Sequence, residues 1–151
     1  MQQRQRENDP RASTTYKKLK TIPDGETASV RLGNWEIGSQ AERVSYQYTI
    51  DTLQNDLLIL KYAVVLQDPS HPFENQPMFS LSITDLNGNE INPECYSAHF
   101  VPGQNTSDWN VGSAEKVLWK DWTTIGIDLA PLHGQTIFVN LTTQDCLMSG
   151  H

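Results

Sequence analysis

Hydrophobic and polar residues alternate most regularly in the last third of the chain, between residues 117 and 145. In its second half Ile137, Val139 and Leu141 fall on one face of the chain. The other face carries Thr136, Phe138, Asn140 and Thr142. A period of two indicates a β-strand with one buried and one wet face.

The same pattern recurs earlier in the chain. Tyr46, Tyr48 and Ile50 alternate with polar residues, and residues 78–84 (MFSLSIT) alternate in the same way. Residues 57–66 are nearly all apolar, rich in β-branched side chains and short, which predicts a central strand covered on both faces. With the shorter runs, seven or eight strands and no convincing helix are expected.

This succession of strands predicts an all-β fold, an antiparallel two-sheet β-sandwich. The turn at residues 85–89 supports it, because Asn-Gly readily supplies the positive φ angles of a tight hairpin turn. Residues 29–151 are assigned to the sandwich. Residues 1–28 are polar, lack periodicity and end in Pro23-Asp24-Gly25, so we expect a basic, flexible leader.

Charge divides the chain in the same place. Residues 1–20 carry six basic and two acidic groups, whereas the remainder carries five basic and sixteen acidic groups. The basic leader either contacts an acidic surface such as nucleic acid or is simply solvated. The acidic body argues against nucleic-acid binding by the domain itself, since phosphate contacts need clustered Lys and Arg. No apolar run is long enough to predict membrane insertion.

Cysteine and acidic residues offer a few candidate sites. Cys95 and Cys146 lack zinc-site spacing, and two alternatives stay open: a disulfide, stabilising by about 3–4 kcal/mol in the chain-entropy model, or two separate thiols. A structural calcium ion would take loop oxygens, for which the candidates are Glu42, Asp68 and Asp145. Scattered loop acids are more often solvated. No other cofactor is expected.

Aromatic residues in polar loops are the candidates for ligand contact, because exposed rings dominate binding sites. The aromatic candidates are Trp35, Trp109, Trp119, Trp122 and Tyr96. Trp109 is the first choice for ligand contact, and Phe73, in a proline-flanked loop, is the second. Trp119 and Trp122 are expected mainly to pack. The histidines form no metalloprotease motif and no catalytic residues are apparent, so we expect no enzyme.

Several segments together resemble a domain of large surface proteins from Bacteroidetes, which carry PKD-type repeats and sorting domains of the gliding-motility or type IX kind. The segments are 29–35 (SVRLGNW), 61–69 (KYAVVLQDP), 74–77 (ENQP), 119–124 (WKDWTT) and 134–136 (GQT). The resemblance implies a jelly-roll-like sandwich on an exported protein, similar to carbohydrate-binding modules, and brings no catalytic residues.

Such domains usually continue into a final aromatic strand, whereas this chain stops at Gly150-His151. We therefore expect a sandwich lacking its last strand, completed by another chain, or else a short tolerated edge or a cut chain. The beginning, MQQRQREND, has no apolar signal core, so the protein either stays inside the cell or is a mature fragment.

The favoured hypothesis is an extracellular, non-enzymatic module for adhesion or surface assembly, contacting another protein chain or a surface glycan. Its contacts are expected at loops 67–77 and 102–116 and at an open sheet edge. The alternatives are a carbohydrate-binding module using Trp109, and a self-assembling structural subunit of a filament or appendage.

Overall fold

A computed structural model describes residues 2–3, 7–36, 38–103 and 108–148, and these residues are nearly all strand or loop. The strands are β1 (Gln2–Gln3), β2 (Asn8–Ser13), β3 (Lys18–Lys20), β4 (Val30–Arg31), β5 (Ala41–Thr49), β6 (Leu57–Gln67), β7 (Met78–Thr84), β8 (Ala98–Phe100), β9 (Asn110–Val111), β10 (Val117–Asp128) and β11 (Thr136–Gln144). One short helix, α1 (Pro93–Tyr96), and 3-10 turns at Phe73–Asn75 and Ala130–Leu132 connect them. Among the described residues, no helix has the length and hydropathy needed to cross a membrane.

Two antiparallel sheets form the body of the protein and confirm the predicted all-β sandwich. The first sheet has the order β6-β10-β9 and the second has the order β5-β11-β7-β8. The pairing is nested, because the first long strand (β5) pairs with the last (β11), while β6 pairs with β10. Nested pairing of this kind is jelly-roll-like. Two small ribbons, β2-β3 and β1-β4, lie outside these sheets in the pairing order.

The main core fills the space between the two sheets, because one face of each long strand is apolar. From the first sheet it takes Tyr62, Val64, Leu66 and Ile127, and from the second Phe79, Leu81, Ile83, Ile137 and Val139. The alternation along β7 and β11 predicted which side chains point inward. Burial of these side chains is the main favourable contribution to folding.

Strand β6 does not lie in the centre of its sheet, so that part of the prediction is wrong. Its 11 residues pair with β10 on one edge, and no described strand pairs with the other edge. Its continuous apolar sequence has a different cause: the inner face packs against the second sheet, while Ala63 and Val65 on the outer face pack against a second cluster. Coverage of both faces therefore does not require a central position.

The second cluster is built by the segment that was predicted to be a flexible leader. Strands β2 and β3 form an antiparallel ribbon whose Ala12 and Leu19 are buried against Trp119, which is 0% exposed. Ile22 is buried as well. Residues 8–28 are thus part of the folded domain, and the predicted boundary at residue 29 does not coincide with the beginning of the structure.

A bulge in β10 lets this strand serve both clusters. The register against β6 shifts between Lys120 and Thr123. Before the shift, Trp119 packs under the β2-β3 ribbon, whereas after it Ile127 lies in the main core. An extra residue in one strand of an antiparallel pair is the ordinary way to redirect side chains to the other face.

Of the two alternatives left open for the cysteines, the structure has separate thiols, because Cys95 and Cys146 lie at opposite ends of β7. Both are free thiols, Cys95 exposed and Cys146 buried. Cys146 follows Gln144, which pairs with Met78 at the beginning of β7. Cys95 lies in α1, before Ala98, which pairs with Leu81 farther along the same strand. The predicted gap after Gly150-His151 falls outside the described residues.

We expect Gly112→Ala to detach or distort the β2-β3 ribbon. A Cβ atom at Gly112 would overlap the backbone carbonyl oxygen of Arg11 and approach Val117 Cγ1 to 2.9 Å. The neighbouring Ser113 amide donates a hydrogen bond of 3.1 Å to that same carbonyl. Overpacking of this kind costs about 1–3 kcal/mol. Urea unfolding measures the loss.

Gly126→Ala is the matched control for this variant. Its Cβ would meet Leu57 Cδ1 at an ordinary 3.4 Å and no other atom within 4 Å among the described residues. Its stability should therefore equal or slightly exceed that of the wild type, because alanine restricts the unfolded chain. Equal stabilities for the two variants would contradict the docking of the ribbon.

The two thiols should react at different rates with a maleimide. Since Cys95 is exposed and Cys146 is buried, one equivalent should couple to the folded protein and a second only in denaturant. Mass spectrometry under non-reducing conditions counts the adducts. Protein that couples no maleimide even when unfolded would show that the cysteines are oxidised.

Candidate functional site

A cavity of about 960 Å³ lies on the side of the sandwich where β6 ends its sheet. This volume is at the upper end of what small-ligand sites enclose, and it is large for a domain of this size. The walls come from both sheets and from the N-terminal third of the chain. The cavity is therefore the prime candidate for a binding site.

The cavity follows the edge of β6 rather than one of its faces. All nine residues from 59 to 67 line it. Successive side chains of a strand point to opposite faces of the sheet, so a cavity on one face would touch every second residue. Contact with nine in succession places the cavity against the free edge, where backbone N–H and C=O groups point outward.

The cavity walls are mostly apolar, with residues from three directions. The second sheet contributes Val44, Phe79, Leu141 and Thr143. The β2-β3 ribbon and the first sheet contribute Leu19 and Trp122, and the segment of residues 28–36 closes the remaining side. We call this segment the strap; its Gly33, at φ +77, approaches Thr143 closely.

Strand β5 is the free edge of the second sheet on the same side of the sandwich. It pairs with β11, and no described strand pairs with its other edge. Tyr46 of β5 is registered with Val139, a buried core residue, so both side chains point toward the first sheet. Tyr46 is nevertheless 59% exposed. This inward-facing ring is exposed because the first sheet does not extend over it.

Two arginines and a tryptophan stack at the strap side of the cavity. The guanidinium carbons of Arg11 and Arg31 each lie 4.3 Å from the centre of the Trp35 ring. All three residues line the cavity. These cation–π contacts hold the strap to β2. Since each guanidinium carbon lies 4.3 Å from the same ring centre, the two positive charges are close to each other.

Several other charged groups along the cavity have partners within the protein. Lys61 of β6 forms an ion pair with Glu26. Asp9 accepts hydrogen bonds from the backbone amides of Arg11 and Ala12. These contacts satisfy the Lys61 and Asp9 side chains within the protein.

The structure places the three predicted ligand-binding aromatics outside the cavity. Trp109 is half-buried, packs edge-on against Phe100 and lies under the Lys120 ammonium group. Tyr96 packs on the main core, and its hydroxyl donates a hydrogen bond to the Asp128 carbonyl oxygen. Phe73 is 50% exposed. Residues 104–107 of the predicted loop 102–116 lie outside the described residues.

The three predicted calcium ligands do not form a site. No group of three or more metal-binding side chains occurs in the described parts of the chain. Asp68 accepts hydrogen bonds from the Ser70 amide and the Gln76 side chain. Asp145 accepts one from the Gln40 amide. Glu42 lies in β5 opposite Thr143. The side chains of Asp68 and Asp145 thus stabilise loops instead.

Sequence reasoning overlooked the arginine stack. Trp35 was one of the aromatic candidates, but Arg11 lies in residues 1–28, interpreted as leader, and Arg31 lies in the stretch 29–35 that carried the family resemblance. One signal was present: Ala12, Leu19 and Ile22 are apolar positions within the basic segment. A basic segment that also contains several apolar residues can be a covering element of the domain and need not be a tail.

Stability should fall above about pH 10 because of Tyr62, which lines the cavity. Burial raises the pKa of the Tyr62 hydroxyl above its ordinary value. In the window between the ordinary and the raised pKa, the unfolded chain loses this proton while the folded chain keeps it. Rising pH therefore favours unfolding there. Melting temperatures of wild type and Tyr62→Phe, compared at pH 9 and pH 11, should show a smaller drop for the variant; equal drops would contradict the assignment.

Comparisons with known proteins found no match, so a function for this chain can be inferred only from its fold and its cavity. No family model matches the chain, and no curated protein and no solved structure matches it either. The resemblance to Bacteroidetes surface domains, the exported location and the role in adhesion accordingly stay predictions from the sequence.

Proposed function

We propose that this protein is a non-enzymatic binding module that accepts an extended segment of another polypeptide. The guest lies in the cavity as an additional antiparallel or parallel strand on the free edge of β6. Main-chain hydrogen bonds to β6 supply affinity, and alternate side chains of the guest enter the apolar walls.

The observation that carries this proposal is the contact of the cavity with nine consecutive residues of an unpaired edge strand. A site for a compact small molecule need not follow a strand edge, whereas this cavity runs along nine residues of an unpaired edge between mostly apolar walls. That arrangement is complementary to a peptide in the extended conformation.

The exposed Tyr46 ring supports the same occupant. A guest strand beside β6 would extend the first sheet from three to four strands, over the inward face of β5. Tyr46 would then pack as its partner Val139 already does. An exposed inward-facing ring on one sheet and an unpaired edge on the other are both explained by one missing strand.

Strand β6 itself lacks the sequence features that normally protect an edge. Natural edge strands are short, twisted by bulges, or carry charges and prolines. β6 has 11 residues with one charge, Lys61, which is already paired with Glu26. Ile59 and Leu57 on its outer face are more than half exposed. Covering this edge with a partner removes an aggregation hazard.

The setting we propose, an exported protein that uses this module for adhesion or surface assembly, rests on the sequence resemblance alone. Strand addition suits such a role because long pairing interfaces dissociate slowly. Binding to the edge strand does not depend on that setting and is tested by itself.

Synthetic ten-residue peptides that alternate Val or Ile with Thr or Ser are the probe. Labelled peptides should bind the purified protein in a fluorescence-anisotropy titration, and β6 amides should gain protection from hydrogen exchange. Ile59→Lys should weaken binding by about tenfold or more, because it places a charge against the guest.

Leu57→Lys is the matched control, since Leu57 has nearly the same exposure on the same face of β6 but does not line the cavity. Peptides N-methylated at alternate residues should not bind, because they lack the pairing amides. Equal binding of methylated peptides, or binding on a glycan array that survives Ile59→Lys, would overturn strand addition. Dimers that dissolve on adding peptide would identify a second copy as a competing guest.

A further inference from the structure

We propose that the guest segment is a short, uncharged strand that is apolar on both faces and pairs with the odd-numbered residues of β6. This inference rests on the proposed strand addition and specifies the partner. Its sequence is a continuous run of roughly four to eight apolar residues, the pattern of a strand that is buried on both sides. A strand with one polar face is a poorer guest.

Hydrogen bonds at the two ends of β6 show which of its backbone groups face the cavity. The Asp68 amide donates to the Lys116 carbonyl oxygen at 2.7 Å, and the Leu129 amide donates to the Asp56 carbonyl oxygen at 2.8 Å. In an antiparallel ladder, alternate residues direct both backbone groups toward the same neighbour. The bulge lies in β10, so the alternation along β6 is unbroken. Even-numbered residues therefore bond to β10, and the odd-numbered residues of 59–67 direct their N–H and C=O groups toward the free edge.

The inner wall of the cavity, on the side of the second sheet, is lined by apolar side chains. Guest residues opposite the even-numbered residues of β6 have side chains on the face of Tyr62 and Val64, which are buried between the sheets. On that side the second sheet contributes Val44, Phe79 and Leu141 to the cavity. Inward-facing guest side chains are therefore apolar.

The outer wall, on the side of the β2-β3 ribbon, is lined by apolar side chains as well. Guest residues opposite the odd-numbered residues of β6 have side chains on the face of Ala63 and Val65. These two residues and Trp122 pack against the cluster that contains the buried Leu19. All four line the cavity. A guest with a polar outer face would place hydroxyl or amide groups against these side chains, which costs binding free energy.

The charged side chains of the cavity give no net preference for a charged guest. Within the described parts of the chain, four acidic and four basic side chains line it. Two of the basic ones, Lys61 and Lys20, form ion pairs with Glu26 and Asp24. A charged guest residue would lose its hydration without meeting an excess of opposite charge. The guest is therefore uncharged.

Two capped peptides of identical composition test the pattern. One is Ser-Thr-Val-Ile-Val-Ile-Val-Thr-Ser, which is apolar on both faces at its centre, and the other is Val-Ser-Ile-Thr-Val-Thr-Ile-Ser-Val, which is apolar on one face. In anisotropy titrations the continuous peptide should bind about tenfold or more tightly than the alternating one. Lys or Glu in place of its central Val should weaken binding by about tenfold or more.

One substitution in each wall tests whether both faces are recognised. Ile59 lies on the outer face of β6 and Val44 in β5 on the inner wall, and both line the cavity. Ile59→Thr and Val44→Thr should each weaken binding of the continuous peptide by about threefold or more. Leu57→Thr is the matched control, since Leu57 has nearly the exposure of Ile59 but does not line the cavity. Melting temperatures verify that each variant is folded.

Hydrogen exchange followed residue by residue tests the pairing. In the free protein the even-numbered amides of β6 are protected by β10, and the odd-numbered amides of 59–67 should exchange faster. Binding of the continuous peptide should slow exchange of the odd-numbered amides and leave the even-numbered ones unchanged.

The outcomes separate the two proposals. If the alternating or a charged peptide binds as tightly as the continuous one, or if only one of Ile59→Thr and Val44→Thr weakens binding, the two-faced apolar guest is wrong and strand addition stands. If no peptide binds, or a bound peptide leaves the odd-numbered amides unprotected, strand addition fails and this inference fails with it. An equal loss of affinity in Leu57→Thr would show nonspecific adsorption and would overturn both.

Discussion

The antiparallel ladder between β6 and β10 is the interaction on which the rest of the structure depends. It runs along nearly the whole of both strands, from the pair Val117–Gln67 to the pair Asp128–Leu57. Through the bulge in β10 it presents Trp119 to the β2-β3 ribbon and Ile127 to the space between the sheets. One ladder therefore supports two apolar clusters on opposite faces, and loosening it would expose both.

The same ladder creates the open side of the sandwich. Because β10 takes one edge of β6 and the first sheet stops there, the other edge of β6 has no strand beside it among the described residues. Hydrophobic side chains on both faces nevertheless fix β6 in place, so its free backbone groups are held in a preformed, extended row. A preformed row lowers the ordering cost on the protein's side when a strand binds.

The sequence predicted the fold class but not the arrangement around β6. Period-two alternation identified β7 and β11 because each has one buried face, and Asn87-Gly88 marked the turn after β7. An apolar run such as residues 57–66 is expected both for a central strand and for an edge strand covered by a ribbon. The composition shows that both faces of the strand are covered, but not how many strands are hydrogen-bonded to it. The ribbon was not predicted because its strands are only six and three residues long, β2 contains a proline and β3 has a lysine on each side of its one apolar residue.

The site was beyond sequence reasoning for a related reason. Arg11 and Trp35 are 24 positions apart, and their contact arises only when the ribbon docks on Trp119 and brings Arg11 to the strap. The predicted contacts, Trp109 and Tyr96, are aromatic residues near loops, and the structure uses their rings for packing. The sequence shows that an aromatic ring lies in a polar stretch. Only the packing of the surrounding strands determines whether that ring contacts protein or is available to a ligand.

In the proposed strand addition, the strap would give the open side a physical means of admitting a guest. It is tied to the body by polar and stacking contacts: Ser29 to the Thr21 carbonyl oxygen, Gly33 against Thr143, and the arginine–tryptophan stack. The described strap residues contribute no buried side chain to either core cluster. Segments with few buried apolar contacts open at low free-energy cost, whereas β6 beneath the strap packs into both core clusters. A rigid edge under a weakly held cover is the combination that lets a strand enter without unfolding its receptor.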